Sequence, residues 1–194
     1  MGLPTVFVRL TGCPLRCGYC DTRYAFQGGR WMGLDEVVAA VSNHPTRHVC
    51  VTGGEPLAQK PCPDLLSMLC DAGRDVALET SGALDVSAVD ARVARIVDIK
   101  TPGSGEVERN RWDNLGLLCE RDEVKFVLVD EDDYHWAAGV LAQYRIAERC
   151  EVLFSSAHGR LAPSDLADWI LRDGLPVRLQ IQLHKLLWGE EPGR

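Results

Sequence analysis

The sequence is short of long apolar runs: none approaches the roughly 18 residues that a membrane-spanning helix needs. Its start, MGLPTVFVRL, lacks a basic stretch followed by an extended apolar one, so no secretory signal is read and a cytoplasmic location is expected. Positive charge is also scarce. Lys and Arg number 21 against 28 Asp and Glu, a net charge of −7. A chain with that balance is a poor match for a phosphate backbone, so neither nucleic acid nor membrane is an expected partner. Internal repeats, low-complexity tracts and interdomain linkers are missing as well. What remains is 194 residues, 46% of them hydrophobic, enough for one core and one expected domain over residues 1–194.

Short β-rich runs alternate with helical patterns. Strands are predicted at 5–10, 48–53, 75–82, 96–100, 124–129, 151–155 and 176–183. Helices are predicted at 34–44, 63–73, 86–95, 131–149 and 163–174, and residues 107–121 read less clearly, with a helical stretch possible at RWDNLGLLCER. This alternation predicts an α/β fold with a parallel sheet and helices packed outside it. A closed eightfold barrel takes about 250 residues. Seven strands in a shorter chain predict a partial, open parallel β/α barrel instead. The polar and glycine-rich segments follow the strands at their C-terminal ends: a cysteine loop, TGGEP, ETSG, KTPGSG, SSAHG and His184. In parallel barrels that edge carries the active site.

Eight cysteines are many for such a chain. Cys50, Cys62, Cys70, Cys119 and Cys150 are scattered and read as buried thiols acting as small hydrophobes. Cys13, Cys17 and Cys20 are different: TGCPLRCGYCDT spaces them C-x3-C-x2-C. In a reducing compartment clustered cysteines favour a metal site over a disulfide. Structural zinc would want a fourth Cys or His nearby, and none follows Cys20 until His44. Three thiolates suit a [4Fe–4S] cluster with one iron left open. Gly12 and Gly18 are expected to aim backbone N–H groups at its sulfurs, with Tyr19 covering the cluster from solvent.

C-x3-C-x2-C with an aromatic residue before the last cysteine resembles the radical S-adenosylmethionine (SAM) superfamily. The resemblance implies that the open iron binds SAM and that reductive cleavage of SAM yields a 5′-deoxyadenosyl radical. It implies SAM contacts from Gly53, Gly54 and Glu55 in TGGEP, from Glu79 and Ser81 in ETSG, and from Lys100, Thr101 and Pro102 in KTPG. Ser155, Ser156, Ala157 and His158 would close over the adenine. Each of these segments also reads as an ordinary turn, and Lys125 is a further candidate for pointing into the barrel.

Asp21-Thr22 after the last cysteine, Arg9 four residues before the first, and LQIQLHK near the end make the whole chain resemble the 7-carboxy-7-deazaguanine synthase (QueE) family. That resemblance implies a lyase of queuosine and deazapurine biosynthesis. Its reaction is the radical ring contraction of 6-carboxy-5,6,7,8-tetrahydropterin to 7-carboxy-7-deazaguanine with release of ammonia. It implies Mg²⁺ at Thr22, substrate contacts from Arg9, Thr52, His184 and Pro192, a flavodoxin- or ferredoxin-like electron donor, and a homodimer. Members of the family begin with a strand and a loop close to LQGEG, so the family's N-terminal strand is expected to be missing ahead of residues 5–10. An activase that makes a glycyl radical on a partner protein, and a non-catalytic metal-binding scaffold, are the alternatives.

Overall fold

A computed structural model describes residues 2–189. Among them seven strands form one parallel sheet in sequence order: β1 (Thr5–Leu10), β2 (His48–Gly53), β3 (Asp75–Thr80), β4 (Ala94–Ile99), β5 (Glu123–Leu128), β6 (Glu151–Ser156) and β7 (Arg178–Gln180). β1 and β7 are its two edges, so the sheet is open, as the strand count predicted. Helix α1 (Leu34–Ser42) links β1 to β2, α2 (Cys62–Asp71) links β2 to β3, α3 (Glu131–Tyr144) links β5 to β6, and α4 (Pro163–Asp173) links β6 to β7. A short α5 (Leu183–Trp188) follows.

Side chains alternate across each strand, and the in-register pairing aligns them into two faces. One is apolar. Val49, Val51, Val76, Leu78 and Val97 pack with Leu65, Leu66 and Leu69 of α2. Val124, Phe126, Leu128, Val152 and Phe154 pack with Tyr134, Ala137 and Leu141 of α3 and Leu166 of α4. The other face is polar: Arg9 pairs in register with Thr52, and Asp98 with Lys125. An ordinary strand covered on both sides would read as continuously apolar. Here the covered side faces helices, and the polar side forms the interior of the partial barrel.

Three predicted elements come out differently. Residues 86–95 are not helical: β3 and β4 are joined by turns. Asp85 accepts from the Ser87 N–H at 2.8 Å and Asp90 from the Arg92 N–H at 2.9 Å. Asn114 accepts from the Val86 N–H and donates to the carbonyls of Gly82 and Leu84. Side chains thus take the backbone bonds that a helix would have made, while Val86, Val89 and Val93 still bury themselves against α2. The predicted helix 131–149 stops at Tyr144, because Arg145 adopts a left-handed φ of 52° and one 3₁₀ turn follows. The last strand covers only 178–180 of the predicted 176–183, and His184 lies on α5 rather than on the strand. The chain leaves the sheet where the Gln182 side chain turns to hydrogen-bond Asp21. Residues 107–121 form 3₁₀ turns, at 107–109 and 112–117.

Removing the fully buried Phe126 ring should cost about 3–5 kcal/mol by leaving a cavity. Trp31 is 100% exposed, so its removal should stay within about 0.5 kcal/mol. Urea unfolding of Phe126→Ala and Trp31→Ala checks both.

Candidate active site

The cysteine loop leaves β1 and folds back over the C-terminal ends of its neighbours. Two backbone bonds clamp it: Glu55 N–H donates to the Gly12 carbonyl at 2.7 Å, and Gly18 N–H donates to the Ser104 carbonyl at 2.9 Å. The first ties the loop to TGGEP, the second to KTPGS. Gly12 N–H is taken by the Ala25 carbonyl. The Gly12 N–H is therefore spent within the loop and the Gly18 N–H on its docking to KTPGS, not free for sulfur as expected. At the clamp a Cβ on residue 54 would fall 2.2 Å from the Gly12 oxygen, and one on residue 53 would fall 1.9 Å from the Leu10 oxygen. Gly53 also holds φ at +146°. Gly53 is required because the end of β1 lies against it, and Gly54 because the cysteine loop lies directly on its backbone.

Cys13, Cys17 and Cys20 are half-buried. Burial raises the pKa of Cys13 and Cys17, and the Lys100 ammonium acts in the opposite direction on both. Both also feel the Cys20 charge, although among the described residues no three His, Cys, Asp or Glu side chains gather tightly enough to hold a single ion. Two buried polar atoms here lack a hydrogen-bond partner: the Tyr19 hydroxyl in the loop and Oε1 of Gln182, whose Nε2 donates to Asp21. A buried polar group left unpaired costs about 1–3 kcal/mol. Three thiols on one loop with orphaned polar atoms beside them fit a bound cluster and cofactor. Of the scattered cysteines, Cys50, Cys62 and Cys150 are buried as expected, Cys70 is half-buried, and Cys119 is exposed. Burial pushes Cys50 and Cys62 up to about 12, consistent with inert thiols.

Around the loop the predicted residues converge from β1 to β6. Glu55 is fully buried, and its carboxylate accepts from the Thr80 hydroxyl, the Ser81 N–H at 2.6 Å and the Leu57 N–H at 2.9 Å. It ties the end of β2 to the end of β3. Thr52 donates to Glu79 at 3.1 Å, placing Glu79 with Thr52 rather than with Ser81. Lys100 Nζ donates to Asp98 at 2.6 Å. Burial, the largest single influence, lowers the Lys100 pKa, but the neighbouring Asp98, Tyr19 and Cys17 together with the Asp98 hydrogen bond outweigh it, the net shift is upward, and the ammonium stays charged. Thr101 donates to Asp133 at 2.7 Å, and Gly103 N–H, beside Pro102, donates to the same carboxylate. Ser155, Ser156 and Ala157 are buried at the end of β6, and His158 is exposed beyond them. Arg9 is exposed, with its guanidinium 5.7 Å from the Tyr24 ring centroid. Thr22 donates to Asp21 at 2.7 Å. His184 is half-buried on α5, and Pro192 lies outside the described residues.

Asp98 and Asp133 went unread in the sequence. A lone carboxylate inside the apolar run IVDI was the available signal for Asp98; it lies on the polar face with Lys125, 3.2 Å away. Asp133 reads as one of three acids opening a helix, and only the fold reveals that it pins KTPG.

Residues 7–100 match the family model of the Radical SAM superfamily. The chain is 47% identical over 193 residues to the 7-carboxy-7-deazaguanine synthase of Chlorobaculum tepidum, covering 98% of this chain and 88% of that one. It is 41% identical to the synthase of the same name from Koribacter versatilis, over 98% and 91% of the two chains. Its fold is similar to the crystal structure of QueE from Escherichia coli, with a TM-score of 0.72 at 21% identity over 93% of this chain and 86% of that one.

Gly54→Ala should force the cysteine loop off β2, since a backbone carbonyl blocks the new methyl. The expected result is a loss of about 1–3 kcal/mol in apo-protein stability, together with a lower yield of iron on reconstitution. Gly116→Ala, with open space around its Cβ, should change neither. Thermal unfolding and iron assay check the pair.

Proposed function

The chain belongs to the 7-carboxy-7-deazaguanine synthase family, and from that membership we propose that it contracts 6-carboxy-5,6,7,8-tetrahydropterin to 7-carboxy-7-deazaguanine with loss of ammonia. The observation that carries this reading is the docking of the three-cysteine loop on TGGEP and KTPGS, the segments at the ends of β2 and β4. Family membership displaces the activase and scaffold alternatives.

Cys13, Cys17 and Cys20 would hold the [4Fe–4S] cluster. Cluster and SAM together supply the 5′-deoxyadenosyl radical that starts the chemistry. The chain's own residues bind, orient and exclude water. Lys100 carries a buried ammonium near Cys17 and suits the SAM carboxylate. The TGGEP backbone offers carbonyls to the SAM amino group, and buried Ser155, Ser156 and Ala157 suit the adenine side, with His158 at the rim. Arg9 on the polar face of β1 presents a fork that suits the pterin carboxylate. Its in-register neighbour Thr52, with Glu79, faces the same substrate. Thr22 donates its hydroxyl hydrogen bond to Asp21, which leaves the oxygen's lone pairs available and suits Mg²⁺ completed by water and substrate oxygens.

An external electron donor is needed. Residues 9–30 carry Arg9, Arg16, Arg23 and Arg30 against Asp21 alone, inside a chain of net charge −7. Arg16 and Arg23 donate to carbonyls of the cysteine loop itself. An acidic flavodoxin or ferredoxin matches that basic face. A homodimer, which the family resemblance implies, is the proposed assembly.

The test of function is anaerobic: reconstituted protein with the carboxytetrahydropterin, SAM, Mg²⁺ and reductant should yield 7-carboxy-7-deazaguanine by mass spectrometry. SAM cleavage without that product would overturn the substrate assignment. Cys17→Ala should lose the iron and its visible absorbance, while Cys62→Ala keeps both. Arg9→Leu should raise KM for the pterin roughly ten- to a hundred-fold, the loss of one charged hydrogen bond, with SAM affinity unchanged. Equal losses for both ligands would make Arg9 structural.

A further inference from the structure

Four ionisable side chains on the polar face form one continuous chain across the site. The Thr52 hydroxyl donates to Oε2 of Glu79, whose Oε1 lies 3.8 Å from Nζ of Lys125. Lys125 Nζ is 3.2 Å from Oδ1 of Asp98, and Oδ2 of Asp98 accepts from Lys100 Nζ at 2.6 Å. Asp98 thus gives one oxygen to each of two lysines, one from the next strand and one from the loop that follows its own. Lys100 reaches on toward the cysteine loop, where its charge acts on Cys17 and Tyr19. Lys125 reaches the other way, toward Glu79 and Thr52.

Packing does not call for this arrangement. Buried ion pairs are often replaceable by apolar residues at no loss of stability, and the neighbouring positions of β4 and β5 are apolar. Nor can the chain lose its middle harmlessly. Without the Asp98 carboxylate, two ammonium groups would face each other across the space it fills. Burial alone would raise the Asp98 pKa, yet the two lysines hold it below the ordinary carboxylate value, so it stays ionised.

We propose that Asp98 and Lys125 are positioning residues: Asp98 is the shared counter-ion that fixes Lys100 on the cysteine-loop side and, through Lys125, fixes Glu79 on the Thr52 side. The two binding regions of the site then depend on one carboxylate. The assignment of SAM to the first side and pterin to the second rests on the function proposed above.

The test uses the reconstituted holoenzyme, with SAM affinity from equilibrium dialysis and pterin KM from steady-state kinetics. Lys125→Met should raise the pterin KM about tenfold or more, the scale of one charged contact, and leave the SAM Kd within about twofold. Lys125→Arg should recover most of that loss, because a cation again bridges Asp98 and Glu79. Asp98→Asn should weaken both ligands. A merely structural role predicts equal damage to both ligands in every variant, tracking the melting temperature, with no rescue by arginine. That pattern, or a Lys125→Met with unchanged pterin KM, would overturn the proposal. The two Lys125 variants decide the matter even if Asp98→Asn does not fold. If the wild-type holoenzyme binds SAM but does not turn over the pterin, the substrate reading has failed instead. The coupling then stands or falls on SAM affinity, which Asp98→Asn should weaken and Lys125→Met should spare.

Discussion

The contact on which the site depends is backbone against backbone: the Gly12 carbonyl, the Leu10 carbonyl and the Gly53–Gly54 segment, packed so closely that no Cβ fits between them. A loop carrying three cysteines would otherwise be a surface excursion, mobile like most loops. Here it is pressed onto the ends of two strands and held on its other flank by the Ser104 carbonyl. The seats are themselves rigid. Glu55 braces TGGEP against β3, and Asp133 braces KTPGS against the start of α3. Each thiol inherits its place from that arrangement.

The sheet supplies the rest by dividing its labour between faces. The apolar side buries branched and aromatic residues against α2, α3 and α4 and provides the main part of the folding drive. The polar side contributes charges that are costly to bury and are kept in pairs: Asp98 with two lysines, Glu79 with Thr52 and Lys125. An open barrel suits this division. Its polar face is not closed over by an eighth strand, whereas a closed eight-stranded barrel fills its interior with side chains.

Much of this was legible in the sequence because the signals were local. C-x3-C-x2-C, GGEP and the strand periodicity each sit within a few residues, and they predicted the open α/β barrel and the edge where the site forms. What escaped depends on partners far apart in the chain. The helical spacing of Val86, Val89 and Val93 was real burial, but Asn114 and two aspartates took the backbone bonds and left turns. Gln182 reaches the cysteine loop across 161 positions of sequence. The glycines of the loop looked like sulfur ligands' companions and proved to be docking points. Glu79 and Ser81 were grouped by their nearness in sequence, but Glu79 accepts from Thr52 on the neighbouring strand, while Ser81, just past the end of β3, donates its N–H to Glu55.

The central claim is that three cysteines hold a cluster whose remaining iron is open to SAM. The most direct measurement is the electron paramagnetic resonance spectrum of the reduced, reconstituted protein recorded with and without SAM. The account predicts a [4Fe–4S]⁺ signal whose g-values shift when SAM is added. A cluster signal indifferent to saturating SAM, or no cluster signal after full reconstitution, would contradict it.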